Sequence, residues 1–183
     1  MRVVITGGAG FLGRRLARAI VGRGHLRDAA GAQREVAEVV LADVVAAEGL
    51  DDPRVRAMAG DVADPAFVAA VIGGDTDSVF HLAAVVSGEA EANFDLGWRV
   101  NFDATRHLLE RCRALARPPK VVFTSSVAVF GGALPDVVPD TQALTPQSSY
   151  GAQKAVGELL VHDYTRKGFL DGRSERAGIA DAG

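Results

Sequence analysis

Thr6-Gly7-Gly8-Ala9-Gly10-Phe11-Leu12-Gly13 is the stretch on which the reading of the fold turns. It follows a short β-branched run, Arg2 to Thr6, that has the pattern of a buried strand. Beyond it Phe11, Leu12, Leu16, Ala19 and Ile20 recur at helical spacing until Gly22 and Gly24 stop the helix. Gly7, Gly10 and Gly13 thus form G-x-x-G-x-x-G between a strand and a helix. Glycines there let the backbone turn tightly and approach a pyrophosphate, whose charge is stabilised by the helix N-terminus. Without that placement the same glycines would describe no more than a tight bend.

Working outward, residues 24–35 are polar and glycine-containing and read as a loop. Val36 to Asp43 is a second strand ending on an acid, and Val55 to Ala59 a third. Asp64-Pro65 opens a helix with proline at its first position. Ser78 to Leu82 is a fourth strand, Asn93 to Leu115 a long helix, and Lys120 to Thr124 a fifth strand after the break at Pro118-Pro119. Residues 131–149 make a long loop holding Pro135, Pro139 and Pro146, and a last helix runs from Tyr150 to Lys167. Strands alternating with helices predict an α/β doubly wound parallel sheet. Its ligand site lies outside the carboxyl ends of the strands, where Gly7–Gly13, Asp43, Asp61, His81–Ala84 and Ser125–Ser126 all fall.

Bulk properties narrow the function. The 183 residues, 48% apolar and 23% charged, suffice for one soluble domain with a full core. A formal charge of −3 gives no basic field for nucleic acid or an anionic membrane. Arg14-Arg15 and Arg111-Cys112-Arg113 read as solvated helix faces. The single cysteine, Cys112, excludes an intramolecular disulfide and reads as a buried structural thiol. No apolar run approaches membrane-span length, Met1-Arg2 leads straight into a strand rather than a secretory signal, and no residues have metal-ligand spacing. A cytoplasmic location is expected.

Chemistry concentrates in a few residues. Asp43, at a strand end, would accept hydrogen bonds from adenosine ribose hydroxyls and repel a 2′-phosphate, favouring NAD over NADP. Asp61-Val62 would meet the adenine. Tyr150 and Lys154 lie four apart and share a helix face. A free tyrosine has a pKa of about 10. A neighbouring ammonium, with a positive nicotinamide ring, would lower it until Tyr150 could take a hydroxyl proton while Ser126 holds the oxygen. His81 reads as a hydrogen-bonded strand-end histidine, and Trp98 as packing.

Together these residues resemble the extended short-chain dehydrogenase/reductases, the NAD-dependent epimerase/dehydratases. The matching segments are Thr6 to Gly13, Gly60-Asp61-Val62, His81-Leu82-Ala83-Ala84, Asn101 with Thr105, Ser125 to Gly131, and Tyr150-Gly151-Ala152-Gln153-Lys154. The resemblance implies a Rossmann fold and NAD as cofactor, held by Gly7, Gly10, Phe11, Leu12, Gly13, Asp43, Asp61, Val62, Leu82, Ala83, Ala84, Asn101, Ser125, Tyr150 and Lys154. It implies Tyr150 as base, Lys154 as its partner and ribose ligand, Ser126 as the substrate-orienting hydroxyl, and Asn101 as a structural and relay residue. Phe130 departs from it, where many sugar-nucleotide members carry tyrosine. Leu41-Ala42-Asp43-Val44, Ala83 to Glu89 and Pro146 to Tyr150 look like the D-erythronate dehydrogenase subgroup, implying NAD-linked oxidation at carbon 2 of a four-carbon sugar acid with Ser87 in the substrate site. The alternatives are a nucleotide-sugar 4-epimerase or dehydratase, and a non-catalytic dinucleotide-binding module. For full-length relatives the resemblance implies a homodimer packed through the long helix and the Tyr150 helix.

After Gly168 the pattern fails. The polar, glycine-rich run to Gly183 lacks strand periodicity, so residues 1–170 read as the dinucleotide domain and 171–183 as a disordered tail. The expectation is therefore a sheet lacking its last strand and the small C-terminal substrate domain, with the fifth strand left as an open edge. Arg176 to Gly183, back-translated and read one base later, give Gly-Leu-Ala-Leu-Pro-Thr-Leu, which suggests a frameshifted or truncated gene. Such a chain is expected to be poorly stable or to associate, and to turn over little substrate.

Overall fold

The computed structural model of the chain describes residues 1–28 and 31–177. In chain order the first half is β1 (Arg2–Thr6), α1 (Phe11–Arg23), β2 (His25–Arg27), β3 (Gln33–Glu35), β4 (Glu38–Asp43), β5 (Val55–Ala59), α2 (Pro65–Val71) and β6 (Thr76–His81). The second half is α3 (Ser87–Ala92), α4 (Phe94–Gly97), a π-helical segment (Trp98–Asp103), α5 (Ala104–Arg113), β7 (Lys120–Ser126), a 3₁₀ turn (Val127–Val129), α6 (Ser149–Arg166) and β8 (Asp171–Ala177).

Six strands form one parallel sheet in the order β5-β4-β1-β6-β7-β8. The chain winds outward from β1 in one direction, then returns to β6 and winds in the other, so a crevice opens between the carboxyl ends of β1 and β6. On one face Val4, Val40, Val79, Val121 and Phe123 pack with Val68 of α2, Leu108 and Leu109 of α5, and Val161 of α6. On the other, Val3, Ile5, Val39 and Leu41 pack with Ala17 and Ile20 of α1. Burial on both faces explains why the central strands read as continuous apolar runs.

Three expectations need correction. Residues 24–35 hold a two-stranded antiparallel ribbon, β2 with β3, rather than a plain loop; Ala29 and Ala30 lie outside the described residues. The long helix is composite: α4, one π-helical stretch and α5, preceded by the separate helix α3.

The third correction is the largest. Asp171–Ala177 is not a disordered tail but a sixth strand, paired in parallel with the whole of β7 from Lys120↔Asp171 to Ser126↔Ala177. The doubly wound class stands, and β7 is not an open edge. Leu170 enters the core, Gly172 N–H donates to Thr165 Oγ1 (3.1 Å), and Arg176 pairs with Glu158 of α6 through Nε and Nη2 (2.8 and 2.7 Å). An edge strand needs no apolar alternation when main-chain pairing and such anchors hold it. Residues 178–183 of the expected tail lie outside the described residues.

Candidate active site

The glycine turn closes on itself. Gly7 has φ +70°, and a Cβ there would stand 2.8 Å from Ala83 N. A Cβ on Gly13 would stand 2.2 Å from Gly7 O, so any side chain there would force the turn open. Gly10, the N-cap of α1, offers no side chain, and the intrahelical ladder begins with Arg14 N–H to Gly10 O (3.0 Å). The N–H groups of Phe11, Leu12 and Gly13 in the first turn therefore have no intrahelical acceptor. The Phe11 and Leu12 side chains are exposed and Gly13 is buried. This is a cradle for an anionic phosphate, and it fits a dinucleotide.

A cleft of about 440 Å³ runs from this turn between the ends of β4, β5 and β6 and the π-helical segment. Asp43 stands at its wall with both carboxylate oxygens held: Oδ2 accepts from Ala9 N (2.9 Å) and Oδ1 from Val44 N (2.7 Å). Just beyond the neighbouring strand β5, Asp61 Oδ1 accepts from Ala63 N (2.8 Å) and Oδ2 from Arg99 Nη1 (2.6 Å). Burial raises the Asp61 pKa, but those two hydrogen bonds and the Arg99 charge outweigh it and hold the carboxyl below its usual value. Val62, Leu82, Ala83 and Ala84 line the same cleft.

The acid/base group gathers beside it, at the end of β7. Ser126 caps the 3₁₀ turn, its Oγ accepting from Ala128 N (3.1 Å), which leaves the hydroxyl proton to be donated, in the protein alone toward the Tyr150 phenol. Ser148 caps α6 through Gly151 N (3.1 Å) and so fixes the turn that carries Tyr150. Tyr150 is half-buried; burial raises its pKa, and a hydrogen bond with Ser126 pulls it down in part. Lys154 is buried, with its ammonium donating to Thr124 O (2.8 Å) and standing 5.7 Å from the Tyr150 ring centroid. Burial lowers the Lys154 pKa to about 8. In the protein alone the phenol is thus held protonated, and the Lys154 proton is loosened.

Asn101 sits in the π-helical segment behind this site. Its Oδ1 accepts from Val85 N (2.8 Å) and its Nδ2 donates to Val85 O (2.9 Å) and Gln153 Oε1 (2.7 Å). It ties the segment after β6 to the helix bearing Tyr150. Ser125 is buried beneath Ser126, while Ser87 opens α3 as an exposed residue. Glu91 of α3 accepts from Ser149 N (3.2 Å), docking α3 against the start of α6.

His81 is fully buried between two hydroxyls, with Nδ1 2.7 Å from Thr6 Oγ1 and Nε2 3.0 Å from Thr105 Oγ1. Thr105 already donates to Asn101 O (2.7 Å), so it accepts from Nε2–H. Thr6 accepts from Ala83 N (3.2 Å) and so donates to Nδ1. The ring is neutral because burial, then the Lys154 charge, lowers its pKa to about 3. One chain of hydrogen bonds thus links the glycine turn, the cleft wall and the π-helical segment.

Arg99, Leu96 and Val100 also line the cleft, from helical positions that no sequence motif marked, as does Glu89, which closes the segment Ala83 to Glu89 but had no role assigned to it. Their signal was positional, since Arg99 lies two residues before Asn101. Among the described residues no helix is long and apolar enough to cross a membrane, and no group of three or more His, Cys, Asp or Glu side chains forms a metal centre.

Residues 3–177 match the NAD dependent epimerase/dehydratase family. The chain belongs to that family. It is 61% identical over 173 residues to D-erythronate dehydrogenase of Cupriavidus necator, covering 94% of this chain and 53% of that protein. A nucleoside-diphosphate-sugar epimerase from Agrobacterium tumefaciens superposes with a TM-score of 0.87 at 42% identity, over 96% of this chain and 52% of that one. UDP-glucose 4-epimerase from Brucella ovis, solved in complex with NAD, superposes with a TM-score of 0.80 at 26% identity, over 96% of this chain and 51% of that one. The chain spans about half the length of the relatives it matches.

Proposed function

We propose that the chain carries the NAD site and acid/base group of a dehydrogenase that oxidises a hydroxyl of a small sugar acid, with D-erythronate, converted at carbon 2 to 2-dehydro-D-erythronate, as the substrate. The observation that carries this reading is the gathering of Ser126, Tyr150 and Lys154 at the end of β7, against a cleft whose glycine turn admits no side chain. NAD supplies the hydride acceptor when bound. Ser126 donates to the substrate hydroxyl oxygen and orients it. Tyr150 takes the hydroxyl proton at its phenolic oxygen, for which the phenol must first ionise. Lys154 holds positive charge near that oxygen and would hold the nicotinamide ribose when NAD is bound. Asn101 keeps the π-helical segment and α6 in register, and Ser87 reaches the substrate from α3. The 61% identity to a D-erythronate dehydrogenase supports the substrate.

A nucleotide-sugar epimerase is the second reading, favoured by the 42% identity to a protein of that description. An epimerase regenerates its cofactor, so net NADH separates the two. Whatever turnover this chain retains with NAD⁺ and D-erythronate, expected to be slow for about half the length of its relatives, should accumulate NADH, and turnover of a UDP-hexose should not. Tyr150→Phe should lower the rate by about 10²–10⁴-fold while the protein still binds NAD. Conversion of a UDP-hexose without net NADH, under conditions where NAD binding is measured and D-erythronate yields no NADH, would remove the dehydrogenase reading.

A further inference from the structure

We propose that Arg99 is a cofactor-binding residue that closes the adenine end of the cleft, holding Asp61 in place to read the 6-amino group and laying its own guanidinium against the base. The proposal rests on the NAD reading above and concerns one end of that site. Its first support is geometric. Arg99 projects from the π-helical segment and reaches Asp61, just beyond β5, across the mouth of the cleft at 2.6 Å. With Ala63 N on its other oxygen, the Asp61 carboxylate is fixed in plane and still has lone pairs to offer an amine donor.

Its second support is electrostatic. Among the described residues lining the cleft, Asp43, Asp61 and Glu89 are acidic and Arg99 is the lone cation. For a ligand carrying a pyrophosphate, Arg99 is the cleft-lining side chain that, with the N-terminus of α1, offsets this acidic field. Its third support is energetic. The pair is half-exposed, at 50% for Arg99 and 37% for Asp61, and such pairs add little to stability. A fold has small use for it as a brace, whereas a planar cation at the rim of an adenine slot has stacking and charge to give.

The test measures binding and needs no turnover. Dissociation constants are taken by calorimetry for NAD⁺, for its deamino analogue with hypoxanthine in place of adenine, and for nicotinamide mononucleotide. The wild-type protein should prefer NAD⁺ to the deamino analogue by roughly tenfold, the factor one well-placed hydrogen bond supplies. Arg99→Met should lose about tenfold in NAD⁺ affinity, bring that preference close to unity and leave the mononucleotide unchanged. Arg99→Lys should retain most of the preference, because the tie to Asp61 survives. An unchanged preference in Arg99→Met would overturn the proposal, as would an equal loss for all three ligands, which would reveal a general field instead. If the wild-type protein binds none of the three, the NAD reading itself falls.

Discussion

Tyr150 and Lys154 lie one helical turn apart on α6, and burial favours the neutral form of both: it raises the phenol and lowers the ammonium to about 8. His81 follows the same rule further inside. Its folded pKa of about 3 lies below the ordinary 6.5, so between those values the unfolded chain binds one more proton than the folded one. Stability therefore rises with pH through that window and is lost as the pH falls below about 6.5, with a limiting slope of about 1.4 kcal/mol per pH unit. His81→Gln, which keeps hydrogen-bonding capacity without a titrating ring, should flatten that slope. Melting temperatures of the two proteins between pH 5 and 7 check this; parallel curves would mean that the ring is not held neutral.

At the scale of elements, legibility in the sequence followed burial and backbone constraint. β1 and β4 were legible because burial on both faces demands apolar runs, and the glycine turn because its backbone tolerates no Cβ. Tyr150, Lys154 and Ser126 were legible by spacing and by the family pattern around them. Arg99 was not, because a half-exposed arginine on a helix has no pattern distinguishing a cleft rim from a solvated face. β8 was not, because its side chains are mostly exposed and polar and its hold comes from pairing with β7 and from single anchors. One of those anchors can be tested. A Cβ on Gly172 would stand 2.7 Å from both Thr165 Oγ1 and Val161 Cγ1. Gly172→Val should cost roughly 1–3 kcal/mol by overpacking, about 2–4 °C of melting temperature for each kcal/mol. Ser174→Val, exposed on the same strand, should leave it unchanged. Equal melting of Gly172→Val and the wild-type protein would mean that β8 is not packed on α6.

For the whole molecule, the order β5-β4-β1-β6-β7-β8 gathers what the sequence scatters. Winding outward from β1 and then back to β6 brings the glycine turn after β1, Asp43 at the end of β4, Asp61 after β5, Ala83 after β6 and Ser126 at the end of β7 to one end of the sheet. His81 and Asn101 fasten those segments together behind the cleft. The central claim is that this end is a dinucleotide site built on the glycine turn and separable from the Tyr150 chemistry. Calorimetric titration of NAD⁺ into the wild-type protein, Gly13→Val and Tyr150→Phe tests it most directly. The account predicts one NAD⁺ bound per chain in the wild-type protein and in Tyr150→Phe, and none in Gly13→Val, where the new side chain would collide with Gly7 O at 2.2 Å. Equal NAD⁺ affinity in Gly13→Val and the wild-type protein, or no binding to any of the three, would contradict it.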